Sequence, residues 1–498
     1  MRGSRATAPA LVGLLGLLVS LIGIGTPSVW YDEAATITGA TRSWPQLWEM
    51  LQNVDVVHGA FYALMHVVFD VIGYSPVTLR LPSAIAIGGA AALTVVLARQ
   101  LGGSRWIPVI AGLVFVFLPR TVWMGGEGRS FAISALFAVA ITVVTVHAQR
   151  RARWRWWVLY TALIVLGSLF YVYLTLIVVA HGAAMLWWWL AAGRPVIAEV
   201  LRWAVAAVAA AVALLPLVSL VADQSGQLFW IDPLSAETWP SVFVVQWFTG
   251  SVPMAVVGWT LIVAGAAILL RRAAGRSDGH TAAPRLPAAA VLLPAVVLPA
   301  AALIVITAVS DPLYSPRYVS MCAPFVAIVM ATAIDAIRPR WAASIVVVLL
   351  VALSVPTIVA QRAPEAKQQS SWAEVADLIA AQRAGMPVDA TVGVIWGWVR
   401  YHPTATTKVI DYAYPDAFEG VIDVNVNTPA AETGELWETR TRVDESLDRI
   451  ADADVVYLIT SIKRDKRPGI TATLVADGWR VAGEYATTDI NIVRYERP

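Results

Sequence analysis

The chain has 498 residues, 58% of them hydrophobic and only 14% charged, with a formal net charge of +2. Soluble globular domains run about 45–50% apolar and about 25% charged, so most of this chain is a polytopic membrane protein. The net charge is too small to imply a nucleic-acid partner, and the single cysteine, Cys322, excludes an internal disulfide and a Cys-rich metal cluster.

A basic start and a long apolar run open the chain. No small-x-small cleavage site precedes Trp30, so the run reads as a retained span over 9–28 rather than a signal peptide. A span needs about 20 apolar residues, and further candidates follow at 81–99, 106–121, 130–147, 156–172, 174–192, 203–221, 252–270, 287–309, 319–337 and 341–360. That makes eleven. The stretch 156–192 is divided because one helix of that length overshoots the bilayer. With Arg2 and Arg5 inside, the Arg-bearing connections 99–105, 149–155, 193–202, 271–285 and 338–340 all fall on one side. This satisfies the positive-inside rule and puts everything after about 361 outside.

The outer segments 29–80 and 222–251 mix aromatic and polar residues, as segments lying along a membrane surface do. Within the first, FYALMHVVFDVIG (61–73) has the spacing of an interfacial helix. The tail from 361 to 498 alternates helical and extended patterns. Residues 371–385 and 444–453 read as helices, and 391–399, 455–460 and 479–497 as strands, predicting a small α/β domain. It carries no GxGxxG or P-loop, and its plainest role is a lid or scaffold. The fold class expected is therefore mostly α: a membrane helix bundle over 1–360 and an extracytoplasmic α/β domain over 361–498.

The stretch WYDEAATITGA sets Asp32 and Glu33 directly after the first apolar run, at a depth where ionisable groups are usually functional. The same loop carries His58 and, at the start of the next span, Arg80. Two short outer loops add Glu127 and Arg129 (GGEGRSFA), and Arg317 and Tyr318 (DPLYSPRYV). Tyr171 and Tyr173 fall at another outer end. A bundle would gather these groups at one face, where carboxylates and His suit proton abstraction from a hydroxyl and Arg suits phosphate. Each also has a plainer reading: Arg80 as an interfacial anchor, Glu127 as an ion-pair partner, His58 as a satisfied histidine, the tyrosines as belt or core. His66, His147, His181, His280 and His402 are scattered without metal-ligand spacing. No cofactor is required, although acids such as Asp32 are compatible with a divalent ion.

WYDEAAT, HGAFYALMHVVFDVIGYSPVTLRLPSA, GGEGRSFA and SPRYVSMCAPF together resemble the GT-C membrane glycosyltransferases, nearest to the protein O-mannosyltransferase and aminoarabinose transferase branch. The resemblance runs through the first 150 residues, returns at 310–325 and is thin between. It implies transfer of a sugar from a polyprenyl monophosphate on the outer face to a hydroxyl of a lipid, glycan or protein, with inversion. Asp32 would then be the general base, with Glu33 orienting the acceptor or tuning its neighbour. Arg129 and Arg317 would hold the donor phosphate, and His58, Arg80, Glu127, Tyr171, Tyr173 and Tyr318 would line the substrate site. The preference for Arg, Ala, Val and Trp looks actinobacterial, which points to mannose or arabinose as the sugar. One departure stands out: relatives carry prolines after the histidine, where this chain reads His58-Gly59-Ala60-Phe61. The competing class is a transporter or flippase of lipid-linked sugars. Such proteins place ionisable groups near the midplane and often show internal repeats; here the groups sit at one face and no repeat is visible.

Overall fold

The computed structural model describes residues 4–275, 285–400, 402 and 404–497. The side chains of Arg2 and Arg5, most of the 271–285 connection and His280 lie outside the described residues. The chain forms two compact units. Met1–Ile22, Val56–Ala60 and Arg80–Ala360 make the first, and Gly23–Asp55, Phe61–Leu79 and Gln361–Pro498 the second. Most of the first outer segment, read from sequence as part of the membrane module, thus groups with the tail.

The first unit is a multi-pass helix bundle. Among the described residues, eight helices are long and apolar enough to cross a membrane, or nine if the bent pair Ile107–Phe117 and Pro119–Gly125 is one span. Eleven were expected. Each expected position holds an apolar helix, but Ala6–Leu21 and Trp154–Phe170 fall short. The 17 residues of Trp154–Phe170 reach about 25 Å, against a hydrocarbon core of about 30 Å. The first helix stops at Leu21 because Gly23 takes a φ of +62° and Pro27 follows. The bent pair turns by 63° at Leu118, whose ψ of 125° is forced out of the helical region by Pro119. The 156–192 run breaks at Tyr171, which is extended with φ −158° and ψ 98°.

The bundle has two chemically different ends. At one, Arg150 donates to the Gln100 carbonyl, Arg202 donates to the Ala152 carbonyl at 3.3 Å, Arg285 lies within electrostatic reach of Arg150, and Arg272 and Gly103 line one cavity. Four of the Arg-bearing connections therefore meet there. Arg129 lies at the other end, because the helix Phe131–Arg151 runs 21 residues, about 30 Å, between them.

The second unit is α/β. Tyr31–Ala40, read from sequence as loop, is a helix, with Asp32 and Glu33 in its first turn where carboxylates complement the N-terminal dipole. Trp44–Asn53 begins with a capping box formed by Ser43 and Gln46. Gly59–Ile72 occupies the 61–73 pattern. In the tail, the helix Trp372–Ala384 precedes five strands: β1 (Val392–Trp396), β2 (Ile422–Asp423), β3 (Val455–Ser461), β4 (Arg480–Ala486) and β5 (Ile490–Glu496). Their order is β2-β1-β3-β5-β4; β1 is parallel to β2 and β3, and β5 is antiparallel to β3 and β4. Ile395, Val456, Leu458, Val493 and Tyr495 of the sheet pack with Ile450, Leu474 and Trp479 into its core. The helix expected at 444–453 is two short 3₁₀ turns, Val443–Glu445 and Leu447–Ile450. Its Asp and Ser side chains compete for backbone groups, as the bond from Ser446 Oγ to the Arg442 carbonyl at 2.9 Å shows.

Candidate functional site

The bundle end away from the arginine-rich connections is built from helix starts. Phe131–Arg151 begins two residues after Arg129, Pro316–Ala336 begins one residue before Arg317, and Val172–Ala192 begins beside Tyr171. Helix N-termini present unpaired N–H groups and favour anions. Arg80 is fully buried on the helix Pro76–Leu101, and Ser83, three residues on, donates to the Arg129 carbonyl at 3.1 Å. This fixes the Glu127–Arg129 turn, whose two charged side chains are themselves buried.

The structure brings Arg129, Arg317 and His58 within electrostatic reach of one another. Burial, with the two guanidinium charges, pushes the His58 pKa well below its ordinary value. His58 is therefore a neutral imidazole at neutral pH, fit to exchange hydrogen bonds with a phosphate or a hydroxyl. The Arg317 guanidinium lies 4.6 Å from the Trp230 ring centre and 5.9 Å from that of Tyr318. Tyr171 donates to the Tyr318 carbonyl at 2.9 Å, and Tyr173 stacks on Tyr318 with ring centres 4.7 Å apart. The tyrosines thus form the wall that aims Arg317.

Arg120 was not singled out from sequence. It is buried on the bent segment Pro119–Gly125, donates at 2.8 Å to the carbonyls of both Gln246 and Val245, and lies within reach of Glu127 and Arg317. It ties the end of the 222–251 segment to the site, helped by a 3.0 Å bond from the Tyr314 hydroxyl to Gln246. An arginine inside the 106–121 apolar run was the signal that could have found it.

Asp32 and Glu33 belong to the second unit. Neighbouring residues on a helix diverge by about 100°, so the two acids have different surroundings. Glu33 is fully buried, its Oε1 2.7 Å from Nζ of Lys367, while Asp32 is partly exposed. Before them, Tyr31 stacks on His402 with ring centres 3.2 Å apart, and its hydroxyl accepts from Trp437 Nε1 at 2.9 Å. Lys367 could not have been found from sequence, since it lies 334 residues from its partner.

The other histidines have plain surroundings. His66 sits 2.9 Å from the Ala40 carbonyl and 3.4 Å from Asp70, His147 packs on Trp156, and His181 bonds Thr142 and Tyr160. Among the described residues, no three His, Cys, Asp or Glu side chains gather in a way that would hold a metal ion.

No family model matches the chain, and no curated protein matches it. Solved structures do. ArnT from Cupriavidus metallidurans, solved bound to undecaprenyl phosphate, aligns over 97% of each chain at a TM-score of 0.59 and 15% identity. The oligosaccharyltransferase of Archaeoglobus fulgidus, solved with zinc and sulfate, aligns over 96% of this chain and 72% of that one at a TM-score of 0.51 and 13% identity. The arabinofuranosyltransferase AftD from Mycobacteria aligns over 98% of this chain but only 39% of its own, at a TM-score of 0.51 and 17% identity. The chain shares the fold of all three, in line with the resemblance to the GT-C membrane glycosyltransferases read from its sequence.

Proposed function

We propose that this GT-C chain is an inverting glycosyltransferase that moves a sugar, mannose or arabinose, from a polyprenyl-monophosphate donor to a hydroxyl of a lipid, glycan or protein on the outer face of the membrane. The observation that carries this reading is the group of Arg129, Arg317 and neutral His58 at the bundle end opposite the basic connections. Two arginines at helix starts suit a phosphate. That the fold neighbour ArnT was solved with undecaprenyl phosphate supports the same carrier class here.

In the proposed reaction the acceptor oxygen attacks the anomeric carbon as its bond to the phosphate oxygen breaks. Polyprenyl phosphate leaves with that electron pair, its charge held by Arg129 and Arg317, and Asp32 takes the acceptor proton. Arg80 and Arg120 are positioning residues that fix the Arg129 turn and the Arg317 wall. Glu33, with its carboxylate on Lys367, holds the helix that carries Asp32 rather than reaching the acceptor. The direct test is purified protein with polyprenyl-phosphate mannose and, separately, arabinose. A glycosylated product with release of polyprenyl phosphate is expected; absence of both with either donor and a mixed lipid and glycan acceptor pool overturns the reading.

Arg129→Ala and Arg317→Ala should each weaken donor binding by about 1.5–3 kcal/mol, the worth of a hydrogen bond to a charged group. Equilibrium binding of the lipid donor to folded protein checks this, and unchanged affinity in both variants would return the arginines to a structural role.

Because positive connections stay inside, the arginine end is proposed to be cytoplasmic and the His58 end outer, with the tail also outside. In intact cells, Arg153→Cys should be protected from an impermeant maleimide and Glu432→Cys should label; both positions are exposed on the protein surface. The reverse pattern would invert the topology.

A further inference from the structure

The tail sheet contains a feature that the transferase reading does not use. From β1 the chain crosses to β2 on one flank, then returns past β1 to β3 on the other, giving the order β2-β1-β3 with all three strands parallel. The direction of winding reverses between β1 and β3. In open α/β sheets the carboxyl ends of the strands at such a reversal flank a crevice that takes ligands. The backbones approach closely there. Gly397 directly follows β1 and donates to the Ile459 carbonyl at 2.8 Å, and a Cβ on it would lie 2.5 Å from the Thr460 hydroxyl.

The segments leaving these strand ends converge on one indole. Trp398 follows β1, Arg464 ends the turn after β3, and Arg440 is bridged to Val426 just beyond β2. The Arg440 guanidinium lies 3.4 Å from the Trp398 ring centre and that of Arg464 4.5 Å, with all three residues partly exposed. Arg464 spends Nη1 on the carbonyls of His402 and Val399, at 2.8 and 3.4 Å. Among the described residues, its Nε and Nη2 and the whole Arg440 guanidinium make no hydrogen bond, and neither arginine has an ion-pair partner. The nearby carboxylate, Glu438, is occupied by the Thr406 and Tyr412 hydroxyls. Burial lowers the Arg440 pKa, Glu438 opposes this and the Arg464 charge adds to it. Two like charges are thus held on one ring, with Nε and Nη2 of Arg464 and the Arg440 guanidinium unspent.

We propose that this arginine–indole cluster binds an anionic carbohydrate, whose phosphate or carboxylate is taken by the unspent donors of Arg440 and Arg464. Guanidinium forks match both oxyanions, while the indole fixes their planes. The anion follows from the two guanidinium groups alone; that a sugar carries it rests on the transferase reading.

The test is calorimetric titration of the purified full-length chain with glucuronate, glucose 6-phosphate, inorganic phosphate and glucose. No turnover is needed, so the outcome is independent of whether the transferase reading holds. Binding of glucuronate and glucose 6-phosphate that weakens with salt is expected, with glucose undetected and inorganic phosphate weaker than glucose 6-phosphate. Arg440→Gln with Arg464→Gln should reduce affinity by about tenfold or more, since each contact to a charged group is worth about that. Arg440→Lys with Arg464→Lys, which keeps the charge and guards against misfolding, should retain weaker, salt-sensitive binding. Unchanged affinity in the Gln pair, or binding abolished by Arg129→Ala instead, would overturn the site. Inorganic phosphate binding as tightly as glucose 6-phosphate would overturn the sugar.

Discussion

Asp32→Asn should leave donor binding near normal and lower turnover by at least about 10²–10⁴-fold, the usual worth of general-base catalysis. Asn has nearly the same shape as Asp and cannot take a proton, so the substitution tests chemistry with little change of form. The fold should survive it. Asp32 is partly exposed, the buried pair between Glu33 and Lys367 is untouched, and losing one first-turn carboxylate costs a surface helix only about 0.3–1 kcal/mol. The comparison needs both proteins at equal expression and the same lipid donor, with affinity and single-turnover rate measured separately. Near-normal turnover would move the base elsewhere. His58 is then next, because it lies beside Arg129 and Arg317, and His58→Gln gives the matching experiment. If neither change matters, the transferase assignment falls.

Lys367→Met should destabilise the protein by about 3–5 kcal/mol, the range for removing one partner of a buried ion pair. Glu33 has no exposed surface, so its carboxylate would be left in a poorly solvated place without its ammonium. Adding Glu33→Met to Lys367→Met removes the stranded charge and should recover most of the loss, since apolar pairs often replace buried ion pairs at little cost. Thermal unfolding of the single and double variants measures this. A Lys367→Met protein within about 0.5 kcal/mol of wild type, the usual span of surface changes, would show that the pair does not hold the helix. Turnover in the double variant then separates support from chemistry: if Glu33 only holds the helix, the refolded double variant regains activity along with stability.

Much of the membrane part was legible because its signals are local. Apolar run length located the helices, and arginine placement matched the way the connections meet at one end of the bundle. The tail strands at 455–460 and 479–497 showed the short β-branched and aromatic runs that pack a sheet. Misreadings came where two local codes compete. Residues 30–40 begin with two acids after an apolar run, which reads as a loop leaving the membrane, yet acids in a first turn also open helices, and that is the structure. The 444–453 segment had helical spacing but too many short polar side chains to hold a helix. What no local signal contained were the long-range partners: Lys367 for Glu33, the 245–246 carbonyls for Arg120, and the meeting of Arg440 and Arg464 on Trp398. A sequence window reports which residues are unusual, while partnership is decided by the fold.

The pairing of Glu33 with Lys367 also sets a clock on biogenesis. A ribosome adding about 5–20 residues per second needs about 17–70 s to travel the 334 residues between them. Throughout that interval the helix bearing Asp32 has been made and its counter-charge has not, and the same holds for the aromatic neighbours of Tyr31 at His402 and Trp437. The early segments of the second unit must therefore wait for their partners, which come only with the last quarter of the chain. A nascent chain halted before residue 367 would carry every span and an acidic helix still without its counter-charge.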